Sequence, residues 1–205
     1  MKNFTLIIIC FAFTLMSFAQ DENIKSKFSY GLNLAVGGAT LENNKVGLLN
    51  GNVFAIRFNV DYDFSDNEKT KLLSGVEIVE FNSSFFNGTD QSRLKNEYLQ
   101  IPLRLVQRVS LDNEQKFNLV TSIGAYGNFL LRSKINDLSN EVDTKSGGVN
   151  FGVGISFGTD YEITSNTRVN ILFDIMNETS SISKNGFRQK QKDIYLLGIG
   201  FMTRF

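Results

Sequence analysis

The sequence predicts an all-β fold: an eight-stranded antiparallel up-and-down transmembrane β-barrel. Three observations carry this. Long segments alternate apolar and polar residues with a period of two. The apolar face recurs on every segment, while the opposite face carries Gly, Asn, Ser and charges of both signs. The connections alternate between long and short. A period of two marks a β-strand, because successive side chains point to opposite faces.

The clearest segment is Val53 to Phe64, VFAIRFNVDYDF. Phe54, Ile56, Phe58, Val60, Tyr62 and Phe64 share one face. Ala55, Arg57, Asn59, Asp61 and Asp63 share the other. Alone, the pattern fits a soluble sandwich with its apolar face in the core. It fits equally an outer-membrane barrel with that face on lipid.

The other segments follow in order. The first strand alternates Phe28, Tyr30, Leu32, Leu34 and Val36 with Ser29, Gly31, Asn33, Ala35 and Gly37. Residues 39–51 read as a loop, with Asn43-Asn44 and Asn50-Gly51 as turn chemistry. Val53–Phe64 is the second strand, and residues 65–69 form a short polar turn. The third strand runs from about Leu72 to Phe86, with Val76 and Ile78 opposite Gly75 and Glu77. Its phase is ambiguous at Val79-Glu80-Phe81, where a bulge would switch faces.

Residues 87–95 read as a polar loop. The fourth strand, Glu97 to Val109, sets Leu99, Ile101, Leu103 and Leu105 against Tyr98, Gln100, Pro102, Arg104 and Arg108. After a turn at 112–115 comes the fifth, Phe117 to Leu131. There Leu119, Ile123, Ala125 and Phe129 oppose Asn118, Ser122, Gly124, Tyr126 and Asn128. Residues 132–147 read as a long charged loop. The sixth strand, Val149 to Ile163, sets Phe151, Val153, Ile155 and Phe157 against Asn150, Gly152, Gly154 and Ser156. A tight turn at Ser165-Asn166 leads to the seventh, Arg168 to about Asn177. Residues 178–192 are a polar loop, and the eighth strand is Asp193 to Phe205.

This order decides between the two architectures. Transmembrane barrels have short periplasmic turns and longer extracellular loops. Each segment supplies the ~9–11 residues that a tilted strand needs to cross a bilayer, against about 5–6 in common soluble strands. A soluble ligand-binding barrel would need the reverse polarity, with an apolar lumen. Eight strands enclose an interior just wide enough for side chains to fill. The inward charges, Asp61, Asp63, Glu77, Asp160, Glu162 and Asp174 with Arg57, Arg104, Arg108, Arg168 and Arg204, must then pair. The expected partners of Arg57 and of Arg104 or Arg108 are Asp61 and Asp63. Pairing should weaken toward the short-turn rim. Glycines leave room for the arginines, and the lumen reads as a plugged polar core. Phe28, Tyr30, Phe64, Phe117, Tyr161 and Phe205 fall at the short-turn ends, where an interfacial girdle belongs.

The N-terminus addresses the compartment. Lys2, the apolar run Phe4 to Met16, and Ser17-Phe18-Ala19 before Gln20 read as a secretory signal peptide over residues 1–19. Residues 20–205 form the barrel domain, expected in the cell outer membrane. The only cysteine, Cys10, lies in the signal and sits in no lipoprotein cleavage box, so the mature chain has no disulfide framework. The net charge of zero gives no basic excess for nucleic acid.

At Tyr98-Leu99-Gln100-Ile101-Pro102-Leu103-Arg104-Leu105 the sequence resembles the PorT-like outer-membrane β-barrel family of Bacteroidota, which typically carries a Tyr-Leu-(Glu/Gln)-Ile-Pro-Leu strand there. Gly124-Ala125-Tyr126-Gly127 and Gly198-Ile199-Gly200-Phe201 resemble its next and closing strands. The motif is structural and transfers no catalytic or binding residue. The family's name implies one function, an accessory role in protein secretion across the outer membrane.

No residue is assigned to catalysis, cofactor binding or metal binding. The chain has no histidine, the common acid–base group of barrel enzymes and the commonest zinc ligand. Asp61-x-Asp63-x-Ser65 begins like a calcium loop but lacks the glycine at its sixth position. Gly152-x-Gly154 lies within a strand, not at a strand-to-helix turn. Asn82, Asn87 and Asn177 match glycosylation sequons that carry little meaning in a bacterial protein. The expectation is a non-enzymatic, monomeric barrel without cofactor. Its partners are outer-membrane lipid and secretion or envelope proteins met through the loops. Its role is surface interaction or envelope integrity, a small-solute channel being the weaker alternative.

Overall fold

The computed structural model describes residues 26–44, 47–64, 69–87, 90–137, 140–144, 147–184 and 187–204. The segment read from the sequence as a signal, residues 65–68 of the expected polar turn, and Phe205 lie outside them. Ten strands follow one another: β1 (Phe28–Asn43), β2 (Gly47–Asp63), β3 (Thr70–Asn87), β4 (Asp90–Ser110), β5 (Phe117–Asp137), β6 (Asn140–Thr144), β7 (Val149–Glu162), β8 (Thr167–Glu178), β9 (Ile182–Lys184) and β10 (Phe187–Arg204). Eight of them, β1-β2-β3-β4-β5-β7-β8-β10, form an antiparallel ring that β10 closes on β1. The short β6 and β9 pair with the upper ends of β5 and β10.

The expected faces hold through the membrane-spanning part. Phe54, Ile56 and Phe58 are exposed while Arg57, Asn59 and Asp61 are buried. Phe151, Val153, Ile155 and Phe157 are exposed while Asn150 and Ser156 are buried. At the short-turn end, Phe28, Phe64, Phe117 and Tyr161 are exposed, with the Phe28 and Tyr62 ring centroids 5.1 Å apart.

The strands are longer than the pattern suggests. Residues 39–43, 90–95, 132–137 and 187–192, expected in loops, belong to β1, β4, β5 and β10. The reason is an inversion of polarity. Above the apolar band the inward residues are Leu41, Leu49, Val53, Phe81, Leu94 and Leu130, and the outward ones are Glu42, Asn50, Asn52, Glu80 and Lys95. There the wall faces water outside and packs an apolar core inside, as a soluble barrel does. Search for an apolar outer face therefore stops too early. The expectation of a wholly polar lumen is corrected by the same residues.

Phase changes also lie elsewhere than expected. β3 runs through Val79-Glu80-Phe81 without a bulge, with Val79 and Phe81 inside and Glu80 outside. The ladder shifts instead at Glu97/Tyr98, where β5 gains a residue near Leu131, and at Gly38/Thr40, where β10 gains one at Asp193. Asp193 has a φ of +49°. One further interruption concerns Pro102, which has no N–H to donate. The β3–β4 pairing skips Gly75-Val76 and Ile101-Pro102, and the Ser74 hydroxyl donates to the Pro102 carbonyl at 2.9 Å. Gly75 has a φ of +153°, and a Cβ there would meet the Phe58 carbonyl oxygen at 2.0 Å. The proline of β4 thus lies beside a position on β3 that only glycine can fill.

Candidate functional site

The interior has two tiers, and each follows from strand phase. In the lower tier, toward the short turns, acidic and basic residues from six strands project inward. Asp174 of β8 accepts from Arg57 at 2.5 Å and from Arg104 at 2.7 Å, and also from the Ser156 hydroxyl. Glu77 lies 3.3 Å from Arg57 and accepts from Gln100 at 3.0 Å. Arg108 forms two hydrogen bonds to Asp160, both 2.7 Å, and a third to Glu162 at 3.1 Å. Arg168 donates to Asp61 at 2.8 Å. Asp63 pairs with Lys71 at 3.1 Å and with Arg204.

The inward placement of Arg57, Arg104 and Arg108 is as expected, and each is at most 6% exposed. Their partners are not. Asp61 and Asp63 serve Arg168, Lys71 and Arg204, while Arg57 and Arg104 share Asp174. The guanidiniums reach across the lumen to β8, whereas Asp61 and Asp63 lie further along β2 toward the short-turn end. Nor does pairing weaken toward the short-turn rim, since Arg108–Asp160 and Arg204–Asp63 are buried there. A Cβ at Gly124 would meet the Leu103 carbonyl oxygen at 2.2 Å and Arg104 Cγ at 2.9 Å, so that glycine first admits the β4 backbone and only then the foot of its arginine. A cavity of about 40 Å³ remains among these groups, comparable with one or two waters at ~30 Å³ each.

In the upper tier, Leu41, Val53, Phe81, Leu94, Leu130, Ile182 and Leu196 pack as one buried cluster. Ile182 comes from β9, a segment expected to be loop. The Tyr98 hydroxyl, buried in this cluster, accepts from Asn96 at 2.9 Å. The buried Glu178 carboxylate accepts from Asn128 at 2.7 Å and from the Gln191 backbone N–H. The Tyr126 ring lies over Gly152, its cross-strand partner: a Cβ on Gly152 would meet the ring at 2.2 Å. So Gly152 and Tyr126, from two separate glycine-rich motifs, are one packing unit.

At the outer rim a cleft of about 990 Å³ opens between the β1–β2 turn, the β8–β9 connection and β10. Thr179, Ser180, Ser181, Ser183, Asn43 and Asn44 line it with hydroxyls and amides, and Arg188, Lys190 and Lys192 with positive charge. Lys192 contacts Glu42 at 2.6 Å, which lowers the Glu42 carboxyl below its ordinary range. Sequence reasoning missed this cleft because it assigned its residues to loops. The alternation of Arg188, Lys190 and Lys192 was the signal available.

Among the described residues no group of three His, Cys, Asp or Glu could hold a metal ion. Asp61 and Asp63, the start of the calcium-like run, are engaged by Arg168, Lys71 and Arg204. Asn82 donates to Glu80 at 2.7 Å.

The family model described as the outer membrane protein beta-barrel domain matches residues 6–205, nearly the whole chain. The chain belongs to the outer membrane protein beta-barrel family. Membership places this barrel in an outer membrane. Among solved structures it is similar to the outer membrane protein OprG from Pseudomonas aeruginosa, at 14% identity and a TM-score of 0.51, covering 88% of this chain and 97% of that one. Neisserial surface protein A is similar at 14% identity and a TM-score of 0.47, with 89% and 100% covered. At such identity the OprG likeness speaks for the fold alone. No curated protein matches the sequence.

Proposed function

We propose that this outer-membrane barrel is a non-enzymatic, monomeric envelope protein with a plugged lumen, whose extended outer strands and loops act in surface interaction or envelope integrity. The observation that carries the reading is the filling of the interior. Ion pairs occupy the lower tier around a cavity of about 40 Å³, and an apolar cluster occupies the upper one. A hydrated solute needs a wider, continuous polar path. The lack of histidine removes the usual acid–base group of barrel enzymes. The purified barrel in planar bilayers should give no discrete conductance steps, and reproducible steps would favour the channel alternative.

The resemblance of Tyr98–Leu105 to PorT-like proteins favours a second reading, an accessory component of an outer-membrane secretion system. Affinity purification of the tagged barrel from native outer membranes separates the two. Stoichiometric recovery of secretion-machine subunits would support the second, and recovery of the barrel alone the first.

A further inference from the structure

We propose that the rim cleft beside β10 binds the phosphorylated sugar headgroup of an outer-leaflet glycolipid. The inference rests on the envelope reading above and names the class of molecule that the outer wall engages.

Three observations converge on this surface. Lys192, Lys190 and Arg188 follow one another on the outward face of β10, with Gln191 and Gln189 buried between them. Directly below them on the same strand, Tyr195, Leu197, Ile199 and Phe201 are exposed on the lipid face. Beside them the cleft of about 990 Å³ is lined by serine and threonine hydroxyls. Acyl chains, phosphates and sugars are thus matched in the vertical order in which a glycolipid presents them. Lys192 is shared with Glu42, and Asp193 lies at the foot of the stripe. The stripe still holds three bases against these two acids. Lysine and arginine near an anionic surface each add to the attraction for a phosphorylated headgroup. A free phosphate would gain from the bases but not from the apolar wall beneath them. That wall is why the occupant is a lipid.

Full-length mature barrel, folded in phosphatidylcholine nanodiscs, tests this with bis-phosphorylated lipid A and the same lipid stripped of its phosphates. Native mass spectrometry should show a preference of at least about tenfold for the phosphorylated form. Arg188→Gln, Lys190→Gln and Lys192→Gln together should abolish that preference. Arg93→Gln with Lys95→Gln, on the β4 wall, should leave it. A heat-modifiable gel shift checks that each variant is folded. In the wild type, lipid A should shield Lys190 and Lys192 from amine acylation, a readout that needs no variant. Equal retention of both lipids, an unshielded Lys190, or displacement of lipid A by an equal concentration of inorganic phosphate would overturn the proposal. Conductance steps would remove the plugged lumen and leave this lipid preference untouched, so the two readings fail separately.

Discussion

Arg57 on β2 reaches across the lumen to Asp174 on β8, and the two meet at 2.5 Å with neither more than 3% exposed. Arg104 on β4 meets the other oxygen of the same carboxylate. One acid thus braces three strands that share no edge in the ring. Removing one partner of a buried ion pair leaves an uncompensated charge and typically costs ~3–5 kcal/mol. Asp174→Asn should therefore lower stability by about that much, read by far-UV circular dichroism during urea unfolding in phospholipid vesicles. Arg57→Met with Asp174→Leu should cost less than the sum of its singles. An additive result would show that the brace carries no coupling.

How much of this was legible in the sequence depends on what surrounds each residue. Lipid imposes one demand, an apolar outer face, and Val53–Phe64 and Val149–Ile163 display it without a break. The inward direction of Arg57 and Arg104 follows from that phase alone. Their partners do not, since Asp174 becomes their neighbour only when the ring closes. Above the bilayer the demand reverses. Leu41 and Leu49 turn inward while Glu42 and Asn50 meet water, and residues 39–43 and 47–51 read as loop although they belong to strands. Ile182 was hidden for the same reason, as a lone apolar residue in a polar run.

The lipid face gives a second test. Val153 is half exposed near the middle of β7's apolar run. Val153→Arg should cost ~2–4 kcal/mol if that position is near the midplane. Unchanged stability in bilayers would place Val153 away from the hydrocarbon.

The Gly152–Tyr126 unit gives a third. Gly152→Ala should force the Tyr126 ring from its place at a cost of ~1–3 kcal/mol, the range for overpacking a filled interior. Tyr126→Leu should relieve most of it. A double-mutant cycle in vesicles with no coupling between the two positions would mean that the ring moves freely.

The rim gives a fourth, smaller effect. Lys95 contacts Glu80 at 2.5 Å on the outer wall above the apolar band, and this hydrogen bond lowers the Glu80 carboxyl. Because the folded value is depressed, the stabilisation is present above the ordinary carboxylate range and fades as pH falls through the lowered one. Both side chains are about a third exposed or more, so the pair should contribute only ~0.2–1 kcal/mol. Glu80→Gln should flatten the acid limb of stability by no more than that. A larger change would mean the wall there is drier than its exposure indicates.

The bulge at Asp193 gives the last. Below it the even-numbered residues Ile194, Leu196 and Met202 point inward, and above it the odd-numbered Gln189 and Gln191 do. One extra residue performs that exchange, because a one-residue slip sends every side chain beyond it to the opposite face. Deleting Asp193 should remove the bulge and leave both faces as they are, since Ile194 would then oppose Ala39 while Lys192 still opposes Thr40. That variant should keep the wild-type resistance to trypsin and its heat-modifiable mobility. Deleting Lys192 as well would turn Gln191 outward and drive Arg188 and Lys190 into the cluster of Leu41 and Phe81, where unpaired charge is prohibitive. The extension above Ile194 should then be released, and trypsin should cut after Arg188 or Lys190 while the membrane-spanning part keeps its mobility. Asp193→Gly should behave as wild type, because glycine takes a φ of +49° freely. Asp193→Val should lose about 1–2 kcal/mol, since a β-branched residue meets in full the left-handed penalty that the short polar side chain of aspartate partly escapes. A double deletion as resistant to trypsin as wild type would mean that the strand restores its phase elsewhere, and cleavage of the single deletion would mean that the bulge itself holds the extension in place.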